Sequence, residues 1–230
     1  MKKKVIVLSL GGSLIIPEEI NIKFLKEFKR VILKNTLKHK FIIVCGGGSI
    51  ARKYISALEQ LGADKKLQSL SGISATRMNA RFMNYFFNIN PEHGIPHTMR
   101  LLKKYIKKQD AVFCGALEYK PNQTSDSTAA EIARYFKTIF INLTNVDGMY
   151  DKNPLKYKNA KFIPKISWKQ FYKIANKNKY KPGQHFILDQ TASKIIMKNK
   201  ITTYIIGKNL NNLNNILKNK KFKGTLIKDK

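Results

Sequence analysis

The chain has 230 residues, 43% of them hydrophobic, and its 44 Lys and Arg against 14 Asp and Glu give a formal net charge of +30. This length and apolar content suit one domain with a substantial core, so we expect residues 1–230 to form a single domain. The basic residues are spread along the whole chain, which favours a solvated lysine-rich surface over a specific nucleic-acid interface.

The two cysteines, Cys45 and Cys114, each lie directly before a glycine at the end of an apolar run. This placement predicts small buried residues, without a disulfide framework or a cysteine metal site. No apolar stretch approaches the roughly 18 residues of a membrane span, and the apolar run after the basic N-terminal residues is too short for the core of a signal peptide. We therefore expect a cytoplasmic protein with no membrane partner.

Apolar periodicity predicts alternating strands and helices along the chain. Residues 5–10 form a run typical of a strand buried on both faces, and the apolar spacing from Asn21 onward predicts an amphipathic helix. Further strands are predicted at 41–44, 111–114, 139–143, 201–206 and 225–227, and further helices at 50–61, 75–86, 168–175, 189–198 and from Ser125 onward. This alternation indicates a mostly parallel sheet with helices on both faces and ligands at the carboxyl ends of the strands.

Two glycine turns each follow an apolar run and precede a helical segment, at residues 10–13 (Leu-Gly-Gly-Ser) and 45–49 (Cys-Gly-Gly-Gly-Ser). In this arrangement backbone N–H groups and a helix N-terminus converge on one anion. Two such turns predict two phosphate groups, as in a phosphoryl transfer enzyme. Neither turn has the Gly-Lys-Ser/Thr ending of a P-loop or the G-x-G-x-x-G pattern of a dinucleotide site.

Two further segments lie at predicted strand ends: Thr-Ser-Asp-Ser-Thr-Ala-Ala at 124–130, and 144–154, which opens with Thr-Asn-Val-Asp-Gly. Together with the glycine turns, segment 72–80 and the closing Gly-Thr-Leu-Ile at 224–227, they make the chain resemble the amino acid kinase family nearly end to end. Within that family it is similar to the archaeal-type UMP kinases. The resemblance implies a three-layer α/β/α sandwich, ATP and Mg²⁺, phosphorylation of UMP to UDP, and a homohexamer.

The resemblance also implies roles for individual residues. Catalysis would fall to Arg52, Lys194 and Asp126. The residues implied in ATP binding are Gly11, Gly12, Ser13, Gly48, Arg52, Thr144, Asn145, Tyr150 and Asn153. Those implied in UMP binding are Gly47, Ser69, Tyr119, Pro121, Asn122, Gln123 and Thr124. No protein side chain is assigned as a metal ligand.

Three departures from the family pattern concern the positive charge and the acceptor. Ser9 stands where many members have a lysine, so we expect Arg52 and Lys194 to supply the cations. Ser69 stands where archaeal-type members usually offer an aspartate to the acceptor ribose. The loop 115–124 is longer than usual and lacks the customary histidines.

Several candidate residues also have structural interpretations. Asp126 opens a helix, where an aspartate commonly serves as the N-cap, and Asn145 and Asp147 suit tight turns. Arg77 and Arg81 share one helix face, which fits either phosphate contact or a helix-surface or subunit contact.

Histidines and aromatic residues are given structural roles. His93 and His97 are four residues apart, but Gly94 and Pro96 break any helix that would align them, so we interpret them as loop residues and not metal ligands. The aromatic residues within 82–87 fit core or subunit packing better than base stacking.

Two competing functions remain open. One is an enzyme of the same fold with another phosphate or carboxylate as its acceptor, and the other is a nucleotide- or anion-binding protein without turnover. Arg52 and Lys194 favour an enzyme, whereas Ser69 and the altered 115–124 loop keep a different acceptor open.

Overall fold

The structure is a computed structural model and describes residues 3–89, 92, 94–121, 123–152, 154, 157–177 and 188–229. In chain order, its strands are β1 (Lys4–Leu10), β2 (His39–Cys45), β3 (Ala111–Cys114), β4 (Phe140–Leu143), β5 (Met149–Tyr150), β6 (Phe162–Ile163), β7 (Lys165–Ile166), β8 (Thr203–Ile206) and β9 (Thr225–Ile227). Its helices are α1 (Gly12–Ile15), α2 (Ile22–Asn35), α3 (Gly48–Gln60), α4 (Lys65–Phe86), α5 (Met99–Lys108), α6 (Ser125–Tyr135), α7 (Trp168–Lys177), α8 (Gln190–Lys198) and α9 (Leu210–Leu217).

Seven strands of the described chain form one sheet in the order β3-β2-β1-β4-β8-β9-β7. Neighbouring strands are parallel except for β8 and β9, which are antiparallel. The register of β1 against β2 runs from Lys4 opposite His39 to Leu10 opposite Cys45. Because these two neighbouring strands end side by side, the two glycine turns leave the sheet next to each other.

Apolar side chains cover both faces of the sheet. Ile6, Leu8 and Leu10 of β1 belong to one buried cluster with α1, α2, α4 and α9. Val7 of the same strand belongs to a second cluster with α5, α6, α7 and α8. This division follows from the alternation of side chains along a strand. The predicted three-layer α/β/α sandwich with a mostly parallel sheet is confirmed.

Helix α4 begins ten residues earlier than the predicted 75–86 segment. Asp64 caps it, since its Oδ1 accepts a hydrogen bond from Leu67 N at 2.8 Å. Gly72 does not interrupt the helix, and Ile55 of α3 packs close to it. The first turns of α4 direct Leu67 and Leu70 outward, so core periodicity does not reveal them.

Helices α5 and α9 are present in the structure but are not predicted from the sequence. Thr98 caps α5 by accepting a hydrogen bond from Leu101 N at 3.2 Å. Asn209 caps α9, which is rich in asparagine, a residue that disfavours helix interiors. Leu210 and Leu213 of α9 are fully buried, so its packing against α2 in the core cluster overcomes the weak local propensity.

The exposed apolar surface of α4 forms one stripe along the helix. Leu67, Leu70, Met78 and Tyr85 recur at helical spacing and are 51%, 38%, 56% and 50% exposed. Phe87, just past the helix, is buried in the core, which agrees with the packing interpretation of the aromatic segment 82–87. None of the helices described here combines the length and apolar composition that a membrane span requires.

Candidate active site

The two glycine turns touch through their backbones at the carboxyl edge of β1 and β2. A Cβ atom placed on Gly12 would lie 2.0 Å from Gly48 N, and one on Gly46 would lie 2.4 Å from Gly12 N. Gly46 N donates to Leu10 O at 2.9 Å, which joins the second turn to the end of β1. Only glycine permits backbones to approach this closely, so the two turns form one continuous backbone surface.

Helix α3 starts at this surface. Gly47 is its N-cap, so no side chain caps the helix, and Gly48 has a left-handed φ of +65° that favours glycine. A 13-residue helix carries a partial positive charge at its N-terminus together with N–H groups that lack helical partners. By contrast, α1 is a single turn of four residues. The anion-binding features of the two turns therefore concentrate at the start of α3.

Arg52 lies near the start of α3 and is partly exposed. Its Nη2 is 3.4 Å from Pro17 O, in the segment between α1 and α2. A guanidinium carries five N–H donors, so this long contact leaves donors for a further partner. The next residue, Lys53, is exposed and pairs with Glu18 at 3.5 Å.

Asp126 lies in the first turn of α6 but does not cap it. Thr124 is the N-cap, and its Oγ1 accepts hydrogen bonds from Asp126 N at 3.1 Å and Ser127 N at 3.4 Å. The Asp126 carboxylate accepts a hydrogen bond from Ser9 Oγ of β1 at 2.6 Å. The interpretation of Asp126 as an N-cap is therefore wrong, because Thr124 fills that position and leaves Asp126 to face the sheet.

The surroundings of Asp126 disfavour its charged form. Burial raises the pKa of the Asp126 carboxyl to about 7; the hydrogen bond from Ser9 opposes this shift, and the nearby Asp189 carboxylate adds to it. None of the ion pairs in the described part of the chain involves Asp126. A cation that binds beside Asp126 would therefore favour its ionised form.

Asp126→Asn should raise thermal stability at high pH. The folded protein holds the proton of Asp126 up to about pH 7, whereas the reference pKa is 3.8, so the free energy of unfolding falls as pH rises through this window. At about 1.4 kcal/mol per pKa unit, the penalty at pH 8 is at most about 4 kcal/mol. We expect the Tm of the nucleotide-free variant to exceed the parent's Tm by more at pH 8 than at pH 5.

The control for this prediction is Glu27→Gln, which removes an exposed carboxylate from α2. It should leave the difference between the Tm values at pH 5 and pH 8 as in the parent. If Asp126→Asn also leaves that difference unchanged, Asp126 does not titrate near neutrality.

Asp189 joins α6 to α8 and was given no role from the sequence. Its carboxylate accepts hydrogen bonds from Thr124 Oγ1 at 2.5 Å, Ser127 Oγ at 2.7 Å and Ala192 N at 2.8 Å. It thereby caps α8 and anchors the start of α6. Lys194 follows five residues later and is exposed on α8. An aspartate before a predicted helix signals an N-cap, but its bonds to α6 require the tertiary structure.

The acceptor loop, defined here as residues 115–121, is fixed to α4 at its start. Ala116 N donates to Thr76 Oγ1 at 3.0 Å. Arg77 donates from Nε to Ala116 O at 3.1 Å and from Nη2 to Leu117 O. The structure thus gives Arg77 a role that neither of its two sequence interpretations contained.

The predicted UMP-binding residues lie along and beyond this loop. Tyr119, Gln123 and Thr124 are partly buried and Pro121 is exposed; Asn122 lies outside the described residues. Ser69 is on α4, seven residues before Thr76, so two helical turns place both on the same face. Ser69 Oγ donates to Lys65 O at 2.7 Å within the helix.

The predicted adenine and ribose segment follows β4. Thr144 N donates to Ile206 O at 3.0 Å, and Thr144 Oγ1 lies 3.4 Å from Asn145 Oδ1. The Tyr150 ring packs edge-on against Phe162, with the centroids 5.3 Å apart. Asn153 lies outside the described residues.

Asp147, in the same segment, does more than form a turn. Its Oδ2 accepts a hydrogen bond from Lys223 Nζ at 2.5 Å, and this hydrogen bond and the charge of Asp147 raise the pKa of Lys223. The pair lies on the surface and joins the segment after β4 to the residues before β9.

The histidines do not form a metal site in the part of the chain that the structure describes. No group of three or more His, Cys, Asp or Glu side chains there could hold a metal ion. His97 lies near Arg77 and Arg81, and its pKa is lowered first by burial and then by these two charges. His93 and His185 lie outside the described residues.

Comparison with known proteins agrees with this geometry. The profile of the amino acid kinase family matches residues 4–207. The chain belongs to the amino acid kinase family. It is 35% identical over 227 residues to the uridylate kinase of Thermoplasma volcanium, with 98% of each chain covered. It is 33% identical over 204 residues to the uridylate kinase of Thermococcus kodakarensis, with 88% of this chain and 90% of that one covered.

A solved structure supports the same assignment. The structure of this chain is similar to the crystal structure of uridylate kinase from Archaeoglobus fulgidus, with a TM-score of 0.82 and 32% identity. The similarity covers 96% of this chain and 99% of that chain. The fold of this chain thus matches that of a family member of nearly the same length.

Proposed function

We propose that this chain transfers the γ-phosphoryl group of ATP to UMP, which yields ADP and UDP and serves pyrimidine nucleotide synthesis in the cytoplasm. The observation that carries the proposal is the backbone contact between the two glycine turns at the start of α3. Each turn offers N–H groups to a phosphate, and their contact brings two phosphate-binding surfaces to one place. The uridylate kinases to which the chain is similar support UMP as the acceptor.

The reaction needs positioning and charge neutralisation more than covalent chemistry. An oxygen of the UMP phosphate forms the new bond to the γ-phosphorus while the bond from that phosphorus to the β–γ bridging oxygen breaks, and ADP leaves. The attacking oxygen is already ionised near neutral pH, so no general base is required. Gly11, Gly12, Ser13 and Gly48 would hold the ATP phosphates, and Gly47 would contact the UMP phosphate.

Arg52 and Lys194 would supply the positive charge that Ser9 cannot. Arg52 lies near the N-terminus of α3, and Lys194 lies on α8, whose cap Asp189 is hydrogen-bonded to α6. Cations placed where charge develops stabilise the transition state more than the ground state. We therefore assign these two side chains to the phosphoryl group in transfer.

Mg²⁺ fits this site as a companion of ATP. It usually binds through one or two carboxylates together with substrate phosphates, and it keeps several waters. The described site offers Asp126, whose carboxylate has one hydrogen-bond donor, Ser9, and lacks an ion-pair partner among the described residues. When bound, Mg²⁺ neutralises phosphate oxygens of the nucleotide.

Ser69→Asp should lower KM for UMP. An aspartate on this face of α4 would accept a charge-assisted hydrogen bond from the acceptor ribose, whereas the Ser69 hydroxyl now donates to Lys65 O. We expect the parent to prefer UMP with a high KM and to discriminate weakly against dUMP. Steady-state kinetics with both acceptors measure the effect.

Ser69→Asn is the matched control, because it adds similar bulk without the charge. It should leave KM for UMP closer to the parent value than Ser69→Asp does. A KM for UMP that Ser69→Asp leaves unchanged would place the ribose elsewhere.

A different phosphate or carboxylate acceptor on the same ATP site is the second candidate. It is favoured by Ser69 and by the 115–124 segment, both of which depart from the pattern of archaeal-type UMP kinases. Tyr119, Pro121, Asn122, Gln123 and Thr124 would contact the uracil of UMP under the first proposal. A screen of acceptors separates the two candidates.

We also propose a homo-oligomer, with a hexamer implied by the family resemblance. The α4 stripe of Leu67, Leu70, Met78 and Tyr85 is exposed in the single chain, and large exposed apolar patches mark protein contacts. Light scattering of the purified protein measures the mass of the assembly.

A further inference from the structure

One turn of α4 contacts both the second glycine turn and the acceptor loop. Thr76 Oγ1 accepts a hydrogen bond from Ala116 N at 3.0 Å, and Asn79 Nδ2 donates to Gly46 O at 2.7 Å. A Cβ atom on Gly47 would lie 3.6 Å from Thr76 Cγ2. The glycine turn and the acceptor loop are thus held by the same short stretch of helix.

Arg77 provides the strongest of these attachments. Its Nε and Nη2 donate to the carbonyls of two successive residues, Ala116 and Leu117. Both of those residues are 7% exposed, so their carbonyls need partners within the protein. Hydrogen bonds from a charged donor are stronger than neutral ones. The guanidinium therefore fixes the direction in which the chain leaves β3.

The backbone at Gly115 lies too close to α4 to accommodate a side chain. A Cβ atom on Gly115 would lie 2.5 Å from Thr76 Oγ1 and 2.6 Å from Arg77 N. The loop therefore starts in direct contact with the α4 backbone. From there it continues through Tyr119 to Pro121, residues placed in the acceptor site above.

We infer that Arg77 is a positioning residue for the acceptor: its two hydrogen bonds to the Ala116 and Leu117 carbonyls set the acceptor loop relative to the glycine turn and thereby control UMP affinity and the choice of base. The inference rests on the proposed function. Arg77 acts through the loop, since its hydrogen bonds go to Ala116 O and Leu117 O, and we expect the binding of ATP by the first glycine turn, Gly48 and the segment after β4 not to depend on it.

The geometry of these two hydrogen bonds also requires an arginine at position 77. The two carbonyls are engaged by different nitrogens of one planar guanidinium, an arrangement that a lysine ammonium cannot reproduce. Arg77→Lys keeps the positive charge and removes the planar pair of donors. It therefore separates loop positioning from direct attraction of the acceptor phosphate by charge alone.

The test compares Arg77→Lys and Thr76→Val with the parent and with Arg30→Lys, a control at an exposed arginine of α2. We expect both test variants to raise KM for UMP, by about tenfold for Arg77→Lys, while KM for ATP stays within about twofold. The preference for UMP over CMP should fall. Amide hydrogen exchange in residues 115–121 should become faster in both variants and stay at the parent rate in Arg30→Lys.

Each outcome decides the inference. Parent-like KM for UMP together with parent-like exchange in Arg77→Lys overturns it, as do equal increases in KM for UMP and ATP, which indicate a general structural role. If Arg77→Lys does not fold, Thr76→Val provides the same comparison. If the parent releases no ADP with UMP, the proposed function fails, and the exchange rates alone still decide whether Arg77 holds the loop.

Discussion

Arg52→Ala should lower kcat/KM for UMP phosphorylation by about a hundredfold or more, the size of effect found when one preorganised electrostatic group is removed. The guanidinium lies near the start of α3, beside the glycine turns, and makes one long contact, 3.4 Å to Pro17 O. Its loss should therefore spare folding. Steady-state kinetics and a thermal unfolding curve of the same preparation measure both effects.

Lys53→Ala is the matched control for Arg52→Ala. Lys53 is the next residue of α3, and its contact with Glu18 is exposed on both sides, so its removal should leave kcat/KM unchanged. Lys194→Ala should behave like Arg52→Ala. A kcat/KM for Arg52→Ala within about threefold of the parent value would remove Arg52 from the mechanism.

Gly12→Ala should abolish activity and lower the free energy of unfolding by about 3 kcal/mol, at the upper end of the usual cost of overpacking. The added methyl group would lie 2.0 Å from Gly48 N and 2.6 Å from Gly48 Cα, so backbone atoms would have to move. That movement separates the two phosphate-binding turns. ADP release and urea unfolding measure the two losses.

Gly72→Ala controls for the loss of a glycine. It lies within α4, where an added Cβ atom would meet only Ile55 Cδ1 at 3.2 Å and Ile55 Cγ1 at 3.9 Å. Alanine also suits a helix interior better than glycine, so stability and activity should change little. Full activity in Gly12→Ala would show that contact between the turns is not required.

Much of the fold follows from local pattern. The apolar runs at β1, β2, β3 and β4 are buried on both faces, so continuous hydrophobicity identifies them without knowledge of the tertiary structure. The role of the glycines at positions 12, 46 and 48 can also be predicted from the sequence. Turns between a strand and a helix that bind anions need the conformational freedom of glycine. The first half of α4 was missed for the opposite reason, since Leu67 and Leu70 face outward and give no core pattern.

Side-chain contacts across the site could not be predicted from the local sequence pattern. Ser9 and Asp126 are 117 residues apart, and their hydrogen bond depends on β1 and α6 meeting at one edge of the sheet. The bonds from Thr124 and Ser127 to Asp189, and from Arg77 to the acceptor loop, also join segments far apart in sequence. Residue type alone is compatible with a cap, a surface charge or a site residue at each of these positions.

Phosphoryl transfer to UMP is tested most directly by ADP release from ATP with the purified protein and Mg²⁺. The acceptors are UMP, CMP, AMP, dUMP and small carboxylates, over about pH 6 to 9, where the acceptor phosphate is largely ionised. We expect ADP release to depend on the acceptor, to be fastest with UMP, and to be lost in Gly12→Ala. Absence of UMP-dependent ADP release across this range would contradict the proposed function.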